Sequence, residues 1–144
     1  MNTKELDGYL KFLSEKQTAV QESGFDVEDS DLSPQLFPFQ KYCVKRALKV
    51  GRFAMFEDCG LGKTYQQLEW AQQVVNHINK PVLILAPLGV IGQTIKEGVH
   101  FGYKVTEIAL TTFDQDLDAG IYITNYDNMD NIDAYLFGGV VLDE

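Results

Sequence analysis

A chain of 144 residues with 45% hydrophobic and 12% aromatic side chains has room for one ordinary domain with a real core, and is too apolar for a disordered one. The longest apolar run, Pro81 to Pro87, falls far short of the roughly 20 residues of a membrane span, and the charges at Lys4, Glu5 and Asp7 leave no apolar core for an export signal. A net charge of −9 argues against a protein that coats nucleic acid by global attraction. Cys43 and Cys59 lack metal-ligand spacing and read as reduced thiols of a cytoplasm; His77 and His100 have no ligand-like company and read as surface or helix-end residues.

In chain order, residues 3–22 predict an amphipathic helix, with Leu6, Leu10, Leu13 and Val20 near helical spacing, stopped by Ser23-Gly24. Glu22, Asp26, Glu28, Asp29 and Asp31 then form an acidic connector, expected to be solvated and anchored only by Phe25 and Val27. Ser33-Pro34 and Pro38 punctuate the approach to a basic helix over roughly 38–50. Lys41, Lys45, Arg46, Lys49 and Arg52 are five of the twelve basic residues, and the three lysines fall at i, i+4, i+8. That stripe reads either as a solvated helix face or as a phosphate-binding surface.

A strand-then-helix rhythm follows. Arg52–Glu57 predicts a strand and residues 63–78 a helix with Leu68, Ala71, Val75 and Ile78 inward. Pro81–Pro87 predicts a fully buried strand, 89–100 a helix, Lys104–Ala109 and Ile121–Thr124 extended segments, Asp114–Gly120 a polar loop and Gly139–Asp143 a last apolar strand. Trp70 and Tyr65 read as packing residues. The alternation implies an α/β fold with a parallel sheet whose ligand site lies at the carboxyl ends of its strands.

The most telling stretch is Gly60-Leu61-Gly62-Lys63-Thr64, between a predicted strand and a predicted helix. Backbone N–H groups of such a turn, with the positive end of the helix dipole, attract a polyphosphate. Lys63 would reach the β- and γ-phosphates, and the Thr64 hydroxyl would be a Mg²⁺ ligand. The usual pattern places a glycine where this chain has Glu57, followed by Asp58 and Cys59. At the other end, the strand Gly139-Val140-Val141-Leu142 delivers Asp143-Glu144. Asp143 would hold Mg²⁺, directly or through water, and Glu144 would orient and deprotonate the attacking water. The alternative is a pair of acids that merely begins a polar loop.

The order of parts resembles lobe 1 of superfamily 2 helicases and translocases, more particularly the SNF2-like group and its phage-encoded relatives. Leu36-Phe37-Pro38-Phe39-Gln40 looks like the opening Leu-x-Pro-aromatic-Gln motif, and Glu57 to Thr64 matches the acidic-acidic-x-Gly-Leu-Gly-Lys-Thr version of motif I, in which the first glycine is missing. Val82 to Leu88 is similar to motif Ia, Ile123-Thr124-Asn125-Tyr126 looks like the next motif, and Asp143-Glu144 like the start of motif II. The resemblance runs from about residue 32 to the last residue and implies a RecA-like P-loop NTPase lobe over 32–144, incomplete at its C-terminus, after an N-terminal helix and connector over 1–31. It also implies that Gln40 hydrogen-bonds the adenine edge with Phe37 against the base, that Gly60, Leu61, Gly62, Lys63 and Thr64 hold the phosphates, and that Pro87, Leu88, Gln93 and Thr124 sit near a nucleic-acid groove.

The activity so implied is Mg-ATP hydrolysis coupled to movement on DNA or RNA, in a bacterial or phage-infected host cytoplasm and without a membrane partner. The chain stops within motif II, so a second lobe with its arginine fingers is expected but absent, ATP turnover by this chain alone is expected to be poor, and the last strand is expected to lack support on one side. Two other readings stay open: a P-loop kinase, disfavoured because Arg46 and Arg52 are the only arginines, and a non-catalytic nucleotide- or partner-binding remnant.

Overall fold

The computed structural model describes residues 3–16, 20–108 and 116–144. Among these are four α-helices and four strands: α1 (Thr3–Lys16), α2 (Pro38–Val50), α3 (Lys63–Ile78), β1 (Val82–Ala86), α4 (Leu88–Phe101), β2 (Val105–Glu107), β3 (Ile121–Asn125) and β4 (Gly139–Leu142). The strands form one all-parallel sheet in the order β2-β3-β1-β4, the α/β architecture expected from the alternation. β1 pairs on both edges, and all five of its residues are buried, as an unbroken apolar run requires when both faces of a strand are covered.

The larger core lies on one face. There Val82, Ile84 and Ala86 of β1 and Ile121 and Ile123 of β3 meet Val44 and Leu48 of α2, Leu68, Ala71 and Val74 of α3, and Ile91 of α4. A smaller core on the other face joins Leu83 and Leu85 to Phe137, beneath the 3₁₀ turns at Tyr126–Asn131 and Ala134–Leu136. α2 begins with Pro38 at its first position and ends at Gly51, whose φ of +84° stops the helix. α3 runs antiparallel to β4: Gly139 lies against Trp70 and Val74, Gly138 against Ile78, and Asp143 meets Gln67 near the helix start.

Several sequence expectations change. Arg52–Glu57 is not a strand. β3 and β4 take both edges of β1, the stretch does not pair with the open outer edge of β4 either, and Phe56 is 96% exposed. α1 ends at Lys16, six residues early; 17–19 lie outside the described residues and Val20–Glu22 are not helical. Leu6, Leu10 and Leu13 of α1 remain exposed, as does Ile78 at the end of α3. β2 covers Val105–Glu107, with Ile108 N–H adding one bond to the Ile123 carbonyl at 2.9 Å; Ala109, Asp114 and Gln115 lie outside the described residues. No strand among the described residues pairs with the outer edge of β4, where Val140 and Leu142 are exposed. Among the described residues no helix is long and apolar enough to cross a membrane.

The carboxylates of the acidic connector are exposed and Phe25 and Val27 anchor it to the core, as expected, but its backbone is docked as well. Ser23, Gly24 and Phe25 N–H groups donate to the carbonyls of Val50, Lys49 and Leu48 at 3.2, 3.1 and 3.0 Å. These are the last carbonyls of α2, which have no partner within their own helix. The approach is so close that a Cβ on Gly24 would fall 1.7 Å from the Leu48 carbonyl oxygen. Phe25 also stacks on His77 with ring centroids 3.8 Å apart, and Gln73 donates to the Asp31 carbonyl at 2.7 Å.

Candidate functional site

The turn from Glu57 to Gly62 is built around two glycines and one acid. Gly60 and Gly62 have φ of +80° and +76°, the left-handed region that side chains disfavour. Gly62 is doubly constrained, since a Cβ there would lie 2.4 Å from the Gln40 amide nitrogen. Glu57, where the commoner pattern has glycine, organises the loop: its carbonyl accepts from Lys63 Nζ at 2.9 Å and its carboxylate from Gln66 Nε2 at 2.7 Å. The Cys43 thiol also meets this carboxylate; burial first, then Glu57, raises its pKa.

Gln40 ties the loop to α2. It is 4% exposed, its Oε1 accepts from the Phe37 N–H at 2.9 Å, and its Nε2 donates to the Leu61 carbonyl at 2.9 Å. Each amide atom thereby keeps one further hydrogen-bonding position. Phe37 is exposed beside it, its ring nearly parallel to that of Phe39 with centroids 6.3 Å apart. The loop surface is open: Gly60, Leu61 and Lys63 are exposed and Thr64 half-buried. Concavities of about 530 and 460 Å³ lie elsewhere, one on α2 and one between α3 and the connector.

Parallel pairing brings the carboxyl ends of β1, β3 and β4 to one side of the sheet. Asp143 follows β4 there, its N–H donating to the Leu85 carbonyl at 2.8 Å. Gln67, one helical turn beyond Lys63, reaches Asp143 Oδ2 with Nε2 at 3.4 Å. The Tyr126 hydroxyl donates to the Asp143 carbonyl at 2.6 Å. Burial, then the charges of Asp143 and Glu144, raises the Tyr126 phenol, which keeps it a donor. Glu144 is exposed. The phosphate-type loop, the helix it opens and the acid-bearing strand end therefore share one edge.

Hydroxyl and carboxylate oxygens from Thr64 and Asp143 are the hard donors Mg²⁺ takes alongside nucleotide phosphates. Among the described residues no group of three or more His, Cys, Asp or Glu side chains is placed to hold a metal ion.

The remaining candidates diverge. Pro87 is the N-cap of α4 and Leu88, its first residue, is 67% exposed, both at the same edge. Gln93 is exposed but bonded along α4 to Glu97 at 2.9 Å. Thr124 is buried: its hydroxyl donates to the Ile108 carbonyl at 3.3 Å and accepts from Asn128 at 2.8 Å, so it presents nothing to a strand of nucleic acid in this conformation. Sequence reasoning overlooked Gln66 and Gln67, and named Tyr126 within a motif without giving it a role. The two glutamines carried a signal, at i+4 from Gly62 and from Lys63 on the helix face that the loop opens. Comparison with protein-family models gives no match, and comparison with curated proteins gives none either.

Proposed function

We propose that residues 32–144 are the ATP-binding part of a nucleic-acid-dependent ATPase, a RecA-like P-loop lobe of the SNF2-like helicase and translocase kind. The observation that carries the reading is the meeting of Asp143, at the end of one strand, with the first turns of the helix that the glycine loop opens. Neither motif alone requires that proximity; a shared Mg-triphosphate does.

In this reading Lys63 releases the Glu57 carbonyl and pairs with the β- and γ-phosphates, while loop N–H groups from Gly60 to Thr64 hold the remaining oxygens. Thr64 and Asp143 hold the cation, which when bound neutralises phosphate charge and polarises the γ-phosphoryl group. Glu144 orients and deprotonates water. Gln40 reads the adenine edge with its unused N–H and acceptor position, and the exposed Phe37 ring lies against the base. Pro87 and Leu88 flank the track, DNA or RNA. An arginine supplied by a second lobe is worth about 10³–10⁵ in related NTPases, so in this reading turnover depends on such an arginine reaching the γ-phosphate.

Gln40 tests the reading. Wild-type protein should bind a fluorescent ATP at least about tenfold more tightly than the GTP analogue, a difference of about 1.4 kcal/mol, and Gln40→Ala should erase that preference. The same substitution strips the Phe37 N–H of its partner and should lower folding stability by about 1–3 kcal/mol in urea melts. Equal affinity of the wild type for both nucleotides would remove Gln40 from the base site.

A further inference from the structure

The lysine stripe of α2 faces the acidic connector across a concavity of about 530 Å³ lined by Lys41, Tyr42, Lys45 and Lys49 on one side and Asp26 and Asp29 on the other. Lys45 Nζ is 2.6 Å from Asp29 Oδ1, Arg46 Nη1 3.2 Å from Glu22 Oε1, and Lys49 Nζ 3.3 Å from Asp26 Oδ1 and 3.9 Å from Glu22 Oε2. The connector thus contributes carboxylates to a helix face whose cations repeat about every 6 Å along the axis.

We propose that this face of α2 is a single-stranded nucleic-acid-binding surface that the connector, Glu22–Asp29, holds closed in cis. Three observations carry it. The cations form a line rather than a cluster, matching a backbone of regularly spaced phosphates better than a compact anion. Tyr42, set among them, is 70% exposed, and Phe39 is exposed nearby, giving aromatic surface on which unpaired bases stack. The closing ion pairs are weak by construction: Asp26 and Asp29 side chains are 78% and 70% exposed, and pairs so open to water contribute little. The hydrogen bond and charge of Lys45 lower the Asp29 pKa, and Asp29 in turn raises that of Lys45, so both stay charged at neutral pH. A phosphodiester strand, carrying more charge than three carboxylates, displaces the connector while the backbone bonds at Ser23–Phe25 keep it tethered. This surface uses no residue of the phosphate loop, so it stands or falls apart from the ATP reading.

The test is fluorescence anisotropy with a labelled oligo-dT of about 16 nucleotides, without nucleotide or Mg²⁺, using the full chain. Two variants open the connector by different routes. Glu22→Gln/Asp26→Asn/Asp29→Asn removes its charge; Gly24→Ala changes no charge but drives a Cβ into the Leu48 carbonyl. Both should bind at least about tenfold more tightly than wild type, and freeing three cations should steepen the log affinity–log salt slope by about 2. Adding Lys41→Ser/Lys45→Ser/Lys49→Ser should cancel the gain. Should the charge variant not fold, Gly24→Ala gives the same reading. Equal binding by wild type and folded connector variants, or a gain that survives loss of the lysines, would overturn the proposal. So would variants that bind poly-glutamate in preference to oligo-dT, which would assign the face to an acidic protein.

Discussion

Lys63→Ala should weaken Mg-ATP binding by about 10²-fold, the loss of one or two charge-assisted hydrogen bonds to phosphate, while leaving the fold untouched. The second half of that expectation is what makes it specific. Lys63 is exposed and its described bond is to the Glu57 carbonyl, which remains free to bind water when the ammonium is gone. Thermal melting without nucleotide should move by no more than an exposed substitution does, within about 0.5 kcal/mol. With saturating Mg-ATP, wild type should gain stability by linkage and the variant should not. A variant that keeps its ATP affinity would make the turn a plain helix opening.

Tyr103→Phe should lower stability, and by an amount that depends on pH. Tyr103 is buried beyond α4 and donates its hydroxyl to Glu69, which also accepts from Gln73 at 2.8 Å and is itself buried. Burial foremost, then the Glu69 carboxylate, pushes the phenol well above its ordinary value of 10. Because the folded-state pKa is the higher one, the native protein holds its phenolic proton where the unfolded chain has lost it. That contribution is complete below about pH 10 and is lost as pH rises beyond it, at up to about 1.4 kcal/mol per pH unit. The substitution should cost about 1–3 kcal/mol at pH 7, since Glu69 loses a donor. It should also flatten the alkaline decline in urea-melt stability relative to wild type. Tyr122 and Tyr126, whose phenols burial also raises, titrate in both proteins and cancel in the difference. Parallel declines in the two proteins would show that the Tyr103 proton is not held.

What the sequence disclosed and what it withheld divide along a physical line. α2 and α3 have the bounds their patterns predict because Pro38, Gly51 and Gly62 act locally, on their own backbone. β1 and β3 are legible because they are buried on fully apolar or nearly apolar patterns, and β4 through its apolar run, although Val140 and Leu142 are exposed. Arg52–Glu57 carries the same kind of pattern and is no strand, since pairing depends on a neighbour that local sequence does not encode. The connector's exposed acids and its Phe25 and Val27 anchors are legible in the sequence, while its backbone docking is not, for a related reason. Its charges match those of α2 in three dimensions, and its N–H groups serve the orphan carbonyls of that helix, contacts made across 16 to 27 residues of chain. Within the candidate site the loop, Gln40 and Asp143 could be picked out by motif. The role of Glu57 as the loop's anchor, the Gln67 contact and the burial of Thr124 needed coordinates, because each turns on which way a side chain points.

The proposal that Lys63 and Asp143 converge on one cation–triphosphate is open to calorimetry. ATP should be titrated with and without Mg²⁺ into wild type, Asp143→Asn and Lys63→Ala. Wild type should bind ATP at least about tenfold more tightly with Mg²⁺, Asp143→Asn should lose that gain while keeping metal-free affinity, and Lys63→Ala should be weak in both conditions. A Mg²⁺ gain as large in Asp143→Asn as in wild type would show that the strand-end carboxylate and the glycine loop do not serve the same ligand.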